Sequence, residues 1–308
     1  MKKYKICKIL LVILAIFLCV AFYELLGICV AYKKQPEVSN TTKKETKNGS
    51  WNECSENTER AVIIEKNPEA LLQRVRLIKN AKKEIILSTF AFQSDESGKL
   101  ILGALHDAAD RGVHIRLLVD GMESWIDMEG NPYFYGLSSH ENVEIKLYNK
   151  ANPLKPWKMM GRMHDKYLIA DGKRYILGGR NTYNYFLGDF PGHKNYDRDV
   201  LVVCDEPEKE NSVNQLLEYF ETIWEQEDSG YFHDNKKLAN RKSVKNAVLE
   251  LQNGYQKYFE ENKERICDTD YTDETFETEK IALVSNPIHT GSKEPVVWYQ
   301  LGELMKNA

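Results

Sequence analysis

A histidine and a lysine near the middle of the chain have the types and spacing for phosphate chemistry. His164 and Lys166 stand two residues apart, Asp171 follows after four more residues, and Gly178–Asn181 follows after another six. Side chains at positions i and i+2 of a strand point to the same face, so an imidazole and an ammonium would project side by side if this segment is a strand. Such a pair suits a phosphate-like anion, because the lysine neutralises charge while the histidine attacks.

The segments around these residues alternate between strand and helix patterns. A buried strand at 84–90, an amphipathic helix at 95–111 and a strand at 114–120 predict a βαβ unit and a parallel pair within an α/β sheet. The turn dipeptide Asp171-Gly172 predicts a hairpin between the strands on either side of it. The other predicted strands lie at 61–64, 143–148, 163–170, 174–177 and 199–203, and the other predicted helices at 68–82, 210–227 and, charged and exposed, 236–266.

The joint pattern of His-x-Lys, the trailing aspartate and Gly-Gly-x-Asn resembles the HKD signature of the phospholipase D superfamily. The resemblance extends over roughly residues 60–226 and is most similar to cardiolipin-synthase-like members. The segments that carry it besides the motif are 90–93, 96–98, 108–113, 117–121, 179–182 and 197–200. It implies a phospholipase-D-type fold, an α/β domain in which helices flank a mixed β-sheet.

The resemblance also implies a role for each motif residue. In the family, the histidine of one motif forms a phosphohistidine and the histidine of a second motif protonates the leaving alcohol, so His164 would be nucleophile or acid. Lys166 and Asn181 would hold the phosphoryl oxygens, and the Gly178-Gly179 pair would form a phosphate loop. Asp171 matches the aspartate of the motif, and we expect it to fix local structure rather than to react.

An acidic residue on the following strand should orient the histidine ring through its second nitrogen. Asp197 and Asp199 both qualify, and their spacing puts them on one face, so the choice between them stays open. The chemistry needs no metal or other cofactor. The three cysteines of the body, Cys54, Cys204 and Cys267, do not have the spacing of metal ligands.

The amino terminus reads as a membrane segment. Four lysines precede an apolar run from Ile9 to Tyr23, and apolar residues resume after Glu24 and continue to Ala31. This is roughly the 20 residues that a spanning helix needs, with Glu24 as its one charged member. A cleaved signal peptide is the alternative, but the long apolar region favours an uncleaved, single-pass anchor with the body on the extracytoplasmic side.

The chain divides into five predicted parts, and it carries a single HKD motif. Residues 281–287 resemble 61–68, and 304–308 resemble 77–81, so we expect one repeat plus the start of a second. The missing histidine would come from a second HKD half, by homodimerisation or from a split partner chain. The parts are 1–32, a transmembrane anchor; 33–60, a flexible polar tether; 61–228, the phospholipase-D-like domain; 229–280, a charged helical extension; and 281–308, a truncated second repeat.

These features predict a phospholipase-D-like phosphodiesterase or phosphatidyltransferase that acts on phospholipid, similar to cardiolipin synthases. The alternative enzyme is a nuclease of the same superfamily. The net charge of -4 and the pI of about 6.1 argue against it, because they do not favour nucleic acid as a partner. A third possibility is a catalytically inactive binding module, because one motif supplies only half of a two-histidine site.

Overall fold

The computed structural model describes residues 2–32, 36–49, 59–204, 211–233, 236–289 and 293–307. The described residues form two compact units. The first comprises 1–48, 151–162 and 285–308, and the second comprises 49–150 and 163–284.

The second unit is built on a mixed sheet of nine strands. The strands are β1 (Arg60–Ile64), β2 (Glu84–Thr89), β3 (His114–Asp120), β4 (Val143–Tyr148), β5 (Lys166–Ala170), β6 (Arg174–Gly178), β7 (Asp199–Val203), β8 (Ser229–Tyr231) and β9 (Phe276–Glu277). Their order across the sheet is β8-β4-β3-β2-β5-β6-β7-β1-β9. The pairs β2–β3 and β3–β4 are parallel, as the βαβ pattern predicts, and the other pairs are antiparallel.

Helices cover this sheet on both faces. The helices among the described residues are α1 (Lys2–Tyr32), α2 (Asn40–Asn48), α3 (Asn67–Asn80), α4 (Glu96–Asp110), α5 (Gly121–Asp127), α6 (Pro132–Ser138), α7 (Ser212–Trp224), α8 (Lys236–Ala239), α9 (Lys242–Glu261), α10 (Lys263–Cys267) and α11 (Val296–Asn307). On one face, Ile115 and Leu117 of β3 belong to the core cluster that includes α3 and α4. Arg116 between them points the opposite way, where its guanidinium lies over the ring of Phe220 on α7.

The predicted exposed helix at 236–266 is wrong in two respects. The structure has three helices there, α8, α9 and α10, and α9 is amphipathic rather than solvated on all sides. It packs on α4 and α6 through buried residues at helical spacing, which are Val244, Ala247, Leu251, Tyr255 and Phe259. Gly103 of α4 allows this approach, because a Cβ there would collide with the backbone of Leu251.

Two other predictions differ from the structure. Within the predicted tether, Asn40–Asn48 is the helix α2, and residues 33–35 and 50–58 lie outside the described residues. Within the predicted second repeat, residues 281–287 form no strand, although a helix follows as α11. The apolar content of 281–287 suits a strand, but those residues have no place in the order of the sheet.

The first unit contains α1, α2, α11 and the segment Ala151–Arg162. The apolar stretch of α1 is long enough to cross a membrane, over Tyr4–Val30. The segment 151–162 contains a short 3₁₀ turn at Pro156–Lys158 that packs on α1.

Candidate active site

Four neighbouring strands bring the motif residues to one end of the sheet. Lys166 at the start of β5 pairs with Thr89 at the end of β2, and Gly178 at the end of β6 pairs with Asp199 at the start of β7. Asp120 is the last residue of β3 and lies at the same end of the sheet, because Val119 just before it is in register with Thr89. Lys166, Gly178 and Asp199 therefore converge at this end of the sheet through pairings between strands distant in the chain, whereas Asp171 does not.

His164 lies just outside the strand on which the sequence placed it. Strand β5 begins at Lys166, so the two side chains are not neighbours on one strand. Just before it, the Met163 N–H donates to Oδ2 of Asp120 at 3.1 Å. His164 is exposed, and its ring meets the half-buried ring of Phe90 edge to face, with centroids 4.6 Å apart. The structure thus presents an accessible imidazole that an aromatic ring supports.

Lys166 is almost completely enclosed, with 5% of the residue exposed. Its Nζ donates to the backbone carbonyl of His164 at 2.6 Å and lies 5.2 Å from the centre of the Phe90 ring. Burial lowers the pKa of this ammonium to about 8, since an apolar surrounding disfavours the charged form. The nearby carboxylates that oppose this effect are those of Asp165, Asp197 and Asp120.

Asn181 is buried beside the end of β2, with 6% of the residue exposed. Its Oδ1 accepts from the backbone N–H of Ala91 at 3.2 Å. The next residue of each segment, Phe92 after Ala91 and Thr182 after Asn181, takes part in a β-bridge that joins the two segments. With the oxygen engaged, the Nδ2 amine is the donor that Asn181 can offer to an anion.

The two glycines of the motif, Gly178 and Gly179, lie in close contact with carboxylate side chains. A Cβ on Gly178 would collide with the side chain of Asp199, and a Cβ on Gly179 would collide with the carboxylate of Asp197. The N–H of Gly179 donates to the carbonyl of Arg198 at 3.3 Å rather than standing open for a phosphate. In this structure both glycines allow close packing of carboxylates, and the phosphate loop expected from the sequence stays a prediction.

The structure distinguishes the two aspartates that the sequence could not. Asp199 is buried, and its Oδ2 lies 2.9 Å from Arg74 Nη1 and 3.2 Å from Arg180 Nη1. Asp197 is half-exposed and close enough to Lys166 for its charge to raise the pKa of that ammonium. The two carboxylates therefore have different partners despite their i, i+2 spacing, and Asp197 is the one electrostatically coupled to the motif.

Asp171 lies at the opposite end of β5. The strand between Lys166 and Asp171 is roughly 16 Å long at 3.3 Å per residue. The Asp171 carboxylate accepts from three successive backbone N–H groups at 2.7–3.1 Å, those of Lys82, Lys83 and Glu84. Its φ of 54° is the left-handed conformation of the turn. This geometry separates Asp171 from the other motif residues and fits the structural role expected for it.

Two residues of this edge were not among the predicted site residues. Phe90 contacts both His164 and Lys166, and Asp120 holds the backbone just before His164. Both follow or end parallel strands, and the carboxyl ends of such strands are where side chains gather in open α/β sheets. Among the described residues, no group of three or more His, Cys, Asp or Glu side chains is arranged to hold a metal ion.

Comparisons with known proteins match part of this chain to a family. The family described as the phospholipase-D-like domain of cardiolipin synthase matches residues 74–224. An uncharacterised protein of Helicobacter pylori (strain J99) is 30% identical over 212 residues, which are 64% of this chain and 39% of that protein. Cardiolipin synthase C of Escherichia coli is 29% identical over 171 residues, which are 51% of this chain and 34% of that protein.

The solved structure of NucT from Helicobacter pylori matches this chain with a TM-score of 0.45 and 16% sequence identity. The match covers 56% of this chain and 99% of the NucT chain. The chain spans about two fifths or less of the length of the curated relatives described above. The matched region 74–224 contains the whole His-x-Lys to Asn motif. The chain therefore carries a phospholipase-D-like domain over residues 74–224.

Proposed function

We propose that the chain carries one HKD half of a membrane-bound phosphodiesterase that transfers the phosphatidyl group of a phospholipid to an alcohol or to water. The observation that carries the proposal is the exposed imidazole of His164 beside the enclosed ammonium of Lys166 and the amide of Asn181. An accessible nucleophile next to buried donors is the arrangement that attack on a phosphodiester requires.

In the first step, an imidazole nitrogen of His164 forms a bond to phosphorus, and the bond from phosphorus to the leaving alcohol breaks. The leaving oxygen takes a proton from a general acid, which we assign to the histidine of a second HKD half. In the second step, an alcohol or water attacks phosphorus, gives its proton to that second histidine, and releases His164. Lys166 and Asn181 would stabilise the charge on the non-bridging oxygens in both steps.

Asp197 is the better candidate for setting the protonation state of this site. Its half-exposed carboxylate is electrostatically coupled to Lys166, whereas Asp199 is held by two arginines. A negative charge near the imidazole would stabilise the cation that forms when His164 is protonated or phosphorylated. We therefore assign Asp197 a positioning and electrostatic role, and Asp199 a structural role.

A lipid substrate is supported by the amino-terminal helix. The 27-residue apolar stretch Tyr4–Val30 would keep the domain at a bilayer, where phospholipid is abundant. The excess of lysine before this stretch favours a cytoplasmic amino terminus and an extracytoplasmic body. The second HKD half would come from another copy of the chain or from a separate partner chain.

The proposal is tested with the full chain in vesicles that contain phosphatidylglycerol labelled in its phosphate. We expect a covalent phosphoryl adduct that is lost in His164→Ala and retained in the matched control His193→Ala, because His193 is an exposed histidine outside the motif. An adduct or cleavage seen only with single-stranded DNA would replace the lipid proposal with a nuclease. No adduct with either substrate would leave the binding module as the function.

The shared-site requirement has its own test. Sedimentation of the detergent-solubilised chain should show the dimer in fractions that hydrolyse phosphatidylglycerol and no hydrolysis in monomer fractions. If the chain is active only after a partner chain is added, the second half is supplied in trans. A strict monomer with full activity would contradict the two-half mechanism.

A further inference from the structure

The segment Ala151–Arg162, which joins β4 to β5 in the chain, packs against the carboxy-terminal half of α1. The hydroxyl of Tyr23 donates to the carbonyl of Leu154 at 2.8 Å. Gly27 allows the closest approach, because a Cβ there would collide with the ring of Pro156. The contact is therefore specific in shape as well as in hydrogen bonding.

This contact covers one stripe of a helix that is otherwise fully exposed. Between residues 4 and 30 the half-buried positions are Ala21, Glu24, Gly27 and Ile28, and all the others are exposed. These positions recur at helical spacing and so form one face. Glu24 is the only charged residue of the apolar stretch after Lys8, and its Oε2 is buried. The one side chain of the stretch that is costly to expose to lipid therefore lies on the covered face.

The depth of the contact follows from the length of the helix. A hydrocarbon core takes about 20 helical residues, so a span that starts at Ile9, just after Lys8, ends near Ile28. Tyr23 and Gly27 then lie within about two turns of that boundary at 1.5 Å per residue. The segment that packs on them would be at the level where acyl chains meet headgroups.

The chemistry of the segment suits that level. Its exposed apolar side chains are Leu154 (76% exposed), Trp157 (44%) and Met160 (44%). Its charged residues are all basic and consist of Lys155, Lys158 and Arg162. Tryptophan is favoured at the membrane–water interface, and clustered lysine and arginine favour anionic lipid. Apolar and basic residues occur together in these 12 residues, and the segment itself contains no Asp or Glu.

We propose that Ala151–Arg162 is a second membrane-contacting element, which lies in the headgroup region of an anionic bilayer beside α1. The inference rests on the membrane placement of α1 in the proposed function, and it adds a lipid-binding surface that the domain's sheet does not supply. The element inserts Leu154 and Trp157 below the headgroups and holds its lysines among their phosphates. The contact with α1 fixes it at that depth.

The test uses the full chain in phosphatidylglycerol vesicles whose acyl chains carry bromine near the headgroup, which quenches tryptophan at that depth. The chain has five tryptophans, so Trp157→Phe should remove more than one fifth of the bromine-dependent quenching. The matched control Trp224→Phe, at a buried position on α7, should leave the quenching unchanged. In the double variant Lys155→Gln/Lys158→Gln, the quenching of Trp157 should become equal in phosphatidylglycerol and phosphatidylcholine vesicles.

Flotation of the same samples separates the two proposals. If the chain does not float with the vesicles, the membrane placement of α1 fails and the inference fails with it. If the chain floats but Trp157→Phe leaves the quenching unchanged, the inference is overturned while the proposed function stands. Equal quenching of wild type in anionic and neutral vesicles would overturn the preference for anionic lipid.

Discussion

Lys166 should lose its charge within the pH range in which the protein can be handled. Burial lowers its pKa to about 8, against an ordinary value near 10.4. Raising the pH from about 7 to about 9 would reduce the protonated fraction roughly tenfold, from ten elevenths to one eleventh, whereas an ordinary lysine would stay almost fully charged. Because this ammonium is a principal positive charge of the candidate site, anion affinity should fall by about the same factor.

Calorimetric titration of the full chain with tungstate measures this effect without requiring turnover. Tungstate is a phosphate mimic whose own charge is constant over these pH values, so only the protein titrates. We expect the Kd to rise about tenfold between pH 7 and pH 9. In Lys166→Arg the Kd should be flat over the same interval, because the guanidinium keeps its proton. A wild-type Kd that does not change, or an equal rise in Lys166→Arg, would refute the assignment.

The same lowered pKa predicts a stability change of known sign. Since the folded state has the lower pKa, the unfolded chain binds more protons between about pH 8 and pH 10.5, and the free energy of unfolding should rise with pH in that window. The full change is about 3 kcal/mol for a shift of this size, at about 1.4 kcal/mol per unit. Lys166→Met should remove this rise in denaturant titrations, and a persistent rise in that variant would assign the effect to another group.

Three further variants probe the surroundings of the site. Gly179→Ala should abolish tungstate binding and lower the free energy of unfolding by about 1–3 kcal/mol, because the new methyl group collides with a carboxylate; Gly254→Ala, in open space on α9, should instead stabilise by roughly 0.5–1 kcal/mol. Asp171→Ala should lower that free energy by about 1–3 kcal/mol with the tungstate Kd unchanged, and a parallel loss of affinity would contradict its separation from the site. Asp199→Asn leaves two arginines without their buried counter-charge and should cost about 3–5 kcal/mol in urea titrations; a neutral result would mean that the arginines find solvent.

The sequence was sufficient to predict the central strands and the resemblance to a phospholipase-D-like domain. The strand at 114–120 was predicted with the bounds it has in the structure, because its apolar run ends at a glycine and its neighbours are helices with clear periodicity. The same holds for 143–148, where apolar and polar residues alternate. Local pattern decides both cases, since the residues that stop each element are next to it in the chain.

What the sequence could not predict depends on partners far away in the chain. The different partners of Asp197 and Asp199 depend on the positions of Arg74 and Arg180, which pair with Asp199. Strand β5 begins only after His164, and the backbone N–H of Met163 before it bonds to Asp120, the last residue of β3. No local spacing reports these contacts, because each joins elements that meet only when the sheet forms.

The face of α9 was missed for a different reason. Its buried positions are spaced three or four apart, a pattern visible in the sequence, but they include alanine and tyrosine among many charges. The neighbour that makes the face necessary is α4, whose own apolar content extends beyond the sheet-facing side. The helical spacing of the buried residues is present in the sequence, but the many charged residues of α9 favoured the prediction of an exposed helix.

Two carboxylates, those of Asp120 and Asp171, hold the backbone at the two ends of β5 and so fix the position of this strand in the sheet. Asp120 grips the backbone ahead of the strand, and Asp171 grips the start of β2 beyond its other end. A slip of one residue would turn Lys166 to the opposite face, and both grips would have to release for that to happen. The four residues between Lys166 and Asp171 in the signature therefore correspond to the length of strand β5, and they do not set a distance between reacting groups. A single inserted residue in 167–170 would have to bulge out of the ladder that β5 forms with β2 and β6.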